Sequence, residues 1–409
     1  MGDSIVRTTN VALLLKIETT EGVDASPTAA DAFPFEEDDL SYNYPYKSED
    51  SNEATGTLVA GAPIVVGQPF EVTIKVKLKG ALAAYTASVK PPHHALLSIA
   101  GKRGLFTAAV SSAALAAGTV NSATLGAAFA SVAQTYRGMP LNFGGVGAGA
   151  IPFITDYTAA KVATLTDTFS PALTTTTTAA IPANWTYAGT SPRDVASRPT
   201  DHPSGTLYIY EDGSLLKGFG MRASLDEISA DTAKPGYAIF KLRGIFGGKT
   251  DAAIPSSLVI PGHSAPTLVQ GLIGISGAFM LNRLGLPISK FSYKDASALD
   301  SPEDPNTAYG FGSGQIGERV PMLSCDPLMT QVATRDTISQ IAAFSQYPGV
   351  IRFLGAQYNR IGITLPLVQP VEASPGKRGD KRSEEMMYRA LDSGFDPVTR
   401  QSDSIICFH

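Results

Sequence analysis

Strict alternation of apolar and polar residues marks the segment Val72–Lys79. Every second residue from Val72 to Leu78 is aliphatic, and the residues between them are Thr73, Lys75, Lys77 and Lys79. This period of two predicts a half-buried β-strand whose polar face carries three lysines.

Further strands and two helices follow from turn residues and periodicity. Thr206–Asp226 predicts a β-hairpin, because the Asp212-Gly213 pair tolerates the positive φ angles of a tight turn. A third strand is predicted at Tyr237–Phe246. Short helices are predicted at Ala95–Ala100 and Arg335–Ser345.

The strand pattern occurs twice. The run Asp39–Tyr44, a polar loop and the strand Val72–Lys79 are echoed about 250 residues later by Phe291–Lys294, another loop and Glu318–Asp326. A second echo relates the hairpin and its third strand to two later segments, Val350–Val368 and Met386–Leu391. Few residues are identical, so chance similarity is the alternative.

The repeat predicts a mainly β chain built from two copies of one strand-rich unit. We place the first domain at residues 1–250 and the second at 267–409, with a linker at 251–266. The first domain has an insertion at about 101–160, because the second copy joins the corresponding points with about 20 residues.

Charged residues make up only 17% of the 409 residues, against roughly 25% in ordinary soluble proteins. Subunit interfaces are poor in charge, so burial in an assembly is one explanation; a monomer with a surface rich in serine and threonine is the other. The net charge of −5 argues against a protein that grips nucleic acid, because phosphate binding needs clustered lysine and arginine. It is compatible with a wall along which nucleic acid slides.

Targeting, membrane and redox signals are weak. The apolar run Val11–Leu15 is too short for a signal peptide, and no segment reaches the roughly 20 apolar residues of a membrane span. We therefore expect synthesis in the cytoplasm and no membrane partner. The two cysteines, Cys325 and Cys407, lie in strand-like runs and are expected to be buried thiols rather than a disulfide bridge.

No catalytic, cofactor-binding or metal-binding residues are predicted. The pair His93-His94 lacks nearby acidic ligands, and the glycine-rich run Gly144–Gly149 lacks the Lys-Ser/Thr of a phosphate loop. The acidic run Glu36–Asp39 cannot alone place two carboxylates across a cleft, because adjacent strand residues alternate faces. We expect it to line a surface or a bore.

Several segments together resemble the major tail tube proteins of long, flexible-tailed bacteriophages. The order and spacing of these segments cover most of the first copy outside the insertion, whose role stays open. They are Lys16–Thr28, Leu207–Gly213, Leu216–Gly218, Gly220–Leu225, Lys234–Phe240 and Gly244–Gly248.

This resemblance implies two tandem tail-tube-type domains, each a β-sandwich or partial barrel with a flanking helix, whose inner strands join neighbouring subunits into a ring. It implies a structural virion protein, not an enzyme and without a cofactor, that forms the tail tube through which the DNA passes. The implied partners are further copies of the chain, the tape measure protein, the tail terminator and the distal tail protein. A decoration or host-glycan-binding β-sandwich protein is the alternative, and an enzyme is a more distant one.

Three expectations about the assembly follow. Three duplicated chains close one pseudo-sixfold ring, and the insertion and the polar hairpin loop Ser374–Glu384 lie outside the bore or between rings. The bore is acidic or neutral, so that DNA is repelled from its wall, while Lys75, Lys77 and Lys79 face outward or pair with acids of a neighbouring subunit. The candidate acidic residues of the bore or of the contact between rings are Glu36, Glu37, Asp38, Asp39, Asp226 and Glu227.

Overall fold

The computed structural model describes residues 5–7, 9–51, 53–54, 56–59, 61–269 and 276–409. Within these ranges the chain is mainly β, as predicted, and its strands pair in antiparallel fashion. The helical elements of the same ranges are short 3-10 turns at Ala29–Asp31 and Glu37–Asp39 and the helices α1 (His94–Ile99), α2 (Arg198–Asp201) and α3 (Thr337–Ala342).

The strands are numbered in chain order. The first seventeen are β1 (Val11–Ile17), β2 (Ser41–Tyr42), β3 (Tyr46–Glu49), β4 (Ile64–Gly67), β5 (Phe70–Lys77), β6 (Lys102–Thr107), β7 (Val110–Ala114), β8 (Ala117–Gly118), β9 (Ser122–Thr124), β10 (Asn142–Gly144), β11 (Ile154–Tyr157), β12 (Val162–Leu165), β13 (Thr178–Ile181), β14 (Asn184–Gly189), β15 (Gly205–Glu211), β16 (Ser214–Asp231) and β17 (Tyr237–Asp251). The remaining ones are β18 (Phe279–Leu281), β19 (Leu284–Gly285), β20 (Lys290–Lys294), β21 (Ser297–Asp300), β22 (Gln315–Arg319), β23 (Met322–Cys325), β24 (Tyr347–Phe353), β25 (Ile361–Arg378), β26 (Lys381–Leu391) and β27 (Ile405–Phe408).

Sixteen of the described strands form one large sheet. Its main path runs β19-β18-β24-β25-β26-β23-β20-β16-β17-β5-β2, and β1, β6, β14, β15 and β27 branch from it. Strand β20 pairs with β23 on one side and with β16 on the other. The sheet is therefore continuous across the two halves of the chain.

Strand β5 confirms the predicted alternation, although it ends earlier than expected. Val72, Ile74 and Val76 are buried, and the residues between them are partly exposed. Lys79 lies beyond the strand and is only 3% exposed, with its ammonium group donating to two backbone carbonyls at 3.0 and 3.3 Å. The prediction that Lys79 shares a solvent face with Lys75 and Lys77 is therefore wrong, because the alternation stops where the strand stops.

The predicted hairpin and both predicted helices are present. Strands β15 and β16 pair around a turn in which Asp212 and Gly213 have φ angles of 40° and 99°. Positive φ at both central residues is the geometry that a two-residue hairpin turn requires. Helix α1 coincides with the first predicted helix to within one residue at each end, and α3 lies inside the second, capped by the Asp336 side chain.

The two copies have matching strand pairings. Ser41 pairs with Thr73 in β2 and β5, and 251 positions later Ser292 pairs with Ser324 in β20 and β23. Each copy continues in the same strand order. We call the set β15-β16-β17-β5-β2 the first copy and the set β24-β25-β26-β23-β20 the second copy.

The main hydrophobic core is shared by both copies. One cluster of buried residues extends from Leu13 in β1 to Phe408 in β27. A separate cluster lies between Leu115 and Ile181, where two small sheets surround their own core. The predicted domain limits stay predictions.

We predicted a loop at Ser374–Glu384, but this segment is the end of a long β-hairpin. Strands β25 and β26 pair up to Arg378 and Lys381 and leave only Gly379-Asp380 as a turn. Most of its residues are exposed, although Ser383 is buried. Such polar sequences resemble loops because most of their side chains face solvent.

A buried group of charges ties the second copy to β6 and to the C-terminal segment. The Lys102 ammonium lies 2.6 Å from an Asp295 carboxylate oxygen and 4.0 Å from one of Asp403. Arg319 contacts both of these carboxylates. Burial raises the pKa of Asp295, but Lys102 and Arg319 more than offset burial and hold this pKa below its usual range. The ionised carboxylate therefore stabilises the fold above the pKa it has when unfolded, and this stabilisation is lost as the pH falls through the lower folded pKa.

We predict that Lys102→Met lowers the free energy of unfolding by about 3–5 kcal/mol at neutral pH, because it leaves a buried carboxylate without its closest cation. Lys47→Met is the control, since Lys47 forms an exposed pair with Glu49 at 3.2 Å and should change stability by about 0–1 kcal/mol. Urea denaturation of both variants measures the difference. Equal losses in the two variants would contradict the assignment.

Candidate functional site

The predicted acidic residues Glu36–Asp39 lie beside the exposed face of β5. The Glu36 amide donates to the Lys75 carbonyl at 2.8 Å, and a 3-10 turn follows at Glu37–Asp39. This fixes the Asp39 carboxylate 2.9 Å from the Lys75 ammonium, and that of Glu36 3.1 Å from the Lys77 ammonium. Glu37 and Asp38 are exposed.

Lys75 and Lys77 thus pair with acids of their own chain. That they face outward or meet acids of a neighbouring subunit stays a prediction. The Asp39 hydrogen bond raises the pKa of Lys75. Both ammonium groups also lie over the Tyr237 ring, at 5.1 and 5.7 Å from its centre. These contacts reduce the positive charge that the face presents to a polyanion.

Asp226 and Glu227 occupy a β-bulge of β16. The register between β16 and β17 shifts between Leu225 and Glu227, so two consecutive acidic residues stand opposite one residue of the partner strand. Asp226 pairs with Lys241 at 3.2 Å. The bulge is the reason that these adjacent acids are both partly exposed, which strict alternation does not allow.

One shallow groove lies beside both groups of acids. Glu227 lines this groove, and so does Lys75, which pairs with Asp39. The groove has a volume of about 490 Å³ and crosses β16, β17, β20 and β23. Its charged lining residues are Lys75, Glu227, Asp231, Lys234, Lys290 and Glu385. Both signs of charge are interspersed, so this face is close to neutral and presents no stripe of one sign. Whether it faces a bore stays a prediction.

The histidine pair and the two cysteines, which the sequence also singled out, make contacts within the fold or are buried in it. His93 is buried, and burial lowers the pKa of its imidazole to about 4, although its ring nitrogen contacts the Lys77 carbonyl at 2.9 Å. His94 contacts the Tyr187 hydroxyl at 2.8 Å. Cys325 and Cys407 are free and buried, as predicted, and burial raises the pKa of each thiol.

Within the described ranges, no helix has the length and apolar character needed to cross a membrane.

Sequence patterns do not indicate the two strand edges that lack a strand partner among the described residues. Within these residues, β2 pairs only with β5. The edge of β25 that pairs with β24 as far as Val368 continues to Arg378 with no partner strand in the described part of the chain. In the first copy, the matching edge of β16 is occupied at Ile228–Asp231 by β20. The constant offset of 251 positions was the sequence signal that relates β2 to β20.

Comparison with known proteins adds no family: no protein-family model matches the chain, and a search of curated proteins finds no match.

We predict that Glu36→Gln gives this face measurable, salt-dependent binding to duplex DNA. The substitution removes the carboxylate next to Lys77, and one freed lysine should steepen the dependence of log affinity on log salt by about 0.9. Glu37→Gln changes the net charge equally but removes no ion pair within the described residues, so it is the matched control. Fluorescence anisotropy across a salt series gives both slopes, and equal slopes would contradict the prediction.

Proposed function

We propose that this protein is a structural virion protein, which polymerises into stacked rings and forms the tail tube of a long, flexible-tailed bacteriophage. The DNA genome passes through this tube. One observation carries the proposal: the junction between β20 and β16 joins the second copy to the first inside the chain, and no strand of the described ranges covers either of the two edges that would repeat it. Repetition of one head-to-tail junction is what closes a ring.

The internal junction gives the register of the contact between chains. Ser229 pairs with Ser292 in the chain, and the matching ladders in the two copies relate these residues to Gly376 and Ser41. Strand β2 of one chain would therefore pair antiparallel to the end of β25 in the next. Unpaired strand edges are a liability in a monomer, and such pairing satisfies their backbone groups.

Charge supports the same register. In the internal junction Lys290 stands opposite Asp231. The corresponding residues between chains are Arg378 and Asp39, which lies in the 3-10 turn just before β2. Opposite charges would therefore again lie near each other, with their positions exchanged. Opposite-charge pairs across antiparallel strands are favourable, whereas like charges are destabilising.

The remaining features of the proposal come from the resemblance. Three chains with two copies each give six positions around a ring. The tape measure protein, the tail terminator and the distal tail protein would be the partners inside and at the ends of the tube. The interspersed charges beside Lys75 are compatible with a wall that DNA passes without specific binding.

We predict that the purified protein forms rings or tubes in which one ring contains three chains. Negative-stain microscopy tests for tubes, and native mass spectrometry of disassembled rings counts the chains. A decoration or glycan-binding protein would form neither. A chain that stays monomeric when concentrated would contradict the function, and rings of six chains would contradict the stoichiometry.

We predict that Lys377→Pro prevents assembly but leaves the monomer folded. The Arg382 carbonyl accepts a hydrogen bond from Met329 on the far side of β26, so its cross-strand partner Lys377 directs its own N–H toward the open edge. Proline removes this donor, which an edge strand tolerates.

Lys377→Ala is the matched control, because it removes the same side chain and keeps the N–H group. Assembly is measured by sedimentation, and monomer stability by urea denaturation, where we expect a difference of less than about 1 kcal/mol between the variants. Equal assembly of the two variants would exclude this edge from the contact.

A further inference from the structure

Two matching hairpins follow β2 and β20 but have different surroundings. The hairpin β3–β4 pairs Glu49 with Ile64, and 251 positions later the hairpin β21–β22 pairs Asp300 with Gln315. The two hairpins therefore occupy equivalent places in the first and second copies.

The β21–β22 hairpin of the second copy packs against strands β16 and β17 of the first copy. The Ser224 hydroxyl donates to the Ser297 carbonyl at 2.9 Å, and Arg243 donates to the Leu299 carbonyl at 3.2 Å. Arg243 also lies 3.7 Å from the Asp300 carboxylate. Ser224 is consequently only 5% exposed, although it lies on the face of β16 opposite the core.

The β3–β4 hairpin has large apolar side chains in solvent. Tyr46, Ile64 and Val65 are 57%, 59% and 67% exposed, although the Tyr46 ring contacts that of Tyr309. Leu58, which corresponds to Tyr309 at the tip of the other hairpin, is fully exposed. Solvent-exposed apolar side chains grouped on one hairpin are typical of an interaction surface.

The surface that would receive this hairpin is on the second copy. Arg389 pairs with Met322 and Gln369 in the positions where Arg243 pairs with Glu71 and Arg222 in the first copy. Arg389 is exposed. Beside it, Val371 and Met387 are 40% and 37% exposed. Val371 lies in a β-bulge next to the exposed Glu372, which pairs with Met387 as Ser224 pairs with Lys241 in the first copy. The surface thus offers one cation, one anion and two apolar side chains.

We propose that the β3–β4 hairpin of one chain docks on the β25–β26 surface of the next chain, with Glu49 facing Arg389 and Ile64, the cross-strand partner of Glu49 on the same face, packing on Val371. This inference rests on the proposed ring and adds a second contact to its edge pairing. Glu49 and Arg389 correspond to Asp300 and Arg243, so the internal ion pair has a counterpart of the same polarity between chains. The exposed apolar side chains Ile64, Val371 and Met387 are covered in the same step.

Cross-linking tests the contact directly. Chains carrying Glu49→Cys and chains carrying Arg389→Cys are assembled together and treated with a short bis-maleimide. We expect a cross-linked dimer from the mixture and none from either variant alone. Asp300→Cys/Arg243→Cys in one chain is the control for reach, since it should give an internal cross-link. The native thiols are buried and should not react.

Charge reversal supplies an independent readout. Glu49→Arg or Arg389→Glu should raise the protein concentration needed for assembly by about tenfold, because like charges then face each other, and the double variant should restore it. Asp50→Arg is the control, since this exposed neighbour lies just outside β3.

The outcomes separate this inference from the proposed function. If the wild-type chain assembles but gives no cross-link and tolerates each reversal, the hairpin contact is wrong and the tube proposal stands. If the wild-type chain does not assemble, both are wrong.

Discussion

The pairing of β20 with both β23 and β16 is the constraint on which the rest of the structure depends. It makes one sheet out of two repeated strand sets, and so the main core extends from β1 to β27 without a break. Because backbone groups of a strand need partners on both sides, this pairing also determines which edges remain open. The junction between the copies forms once within the chain, and it leaves the outer edge of β2 and the end of β25 without a strand partner among the residues that the structure describes.

Buried charges hold the additional segments to this sheet. Lys102, in β6, reaches Asp295 and Asp403 from two distant parts of the chain. Arg352, in β24, binds Asp167, and also donates to the Ile151 carbonyl at 3.0 Å. Removal of one member of such a pair strongly destabilises the fold, because the other member then remains charged in an environment without water. The segments that carry them are therefore fixed in position relative to the sheet.

Local patterns in the sequence were sufficient for some elements and insufficient for others. Strand β5 and the hairpin at Asp212 depend on alternation and turn residues, which are readable along the chain. The junction between β16 and β20 depends on backbone hydrogen bonds between distant segments, and these leave little trace in side-chain pattern. The same holds for the ion pair between Glu36 and Lys77, which joins separate segments and which the alternation of β5 does not indicate. A β-bulge also interrupts the alternation of buried and exposed side chains along a strand, as it does at Asp226.

Covalent linkage of the two copies makes the junctions of the proposed ring unequal. The junction between β16 and β20 is closed within one chain, so its effective concentration is set by the connecting segment and does not fall on dilution. The junctions between chains have no such tether and depend on the concentration of free protein. A ring of this kind would dissociate at every second junction only, and the intact chain, rather than the single copy, would be its unit of exchange.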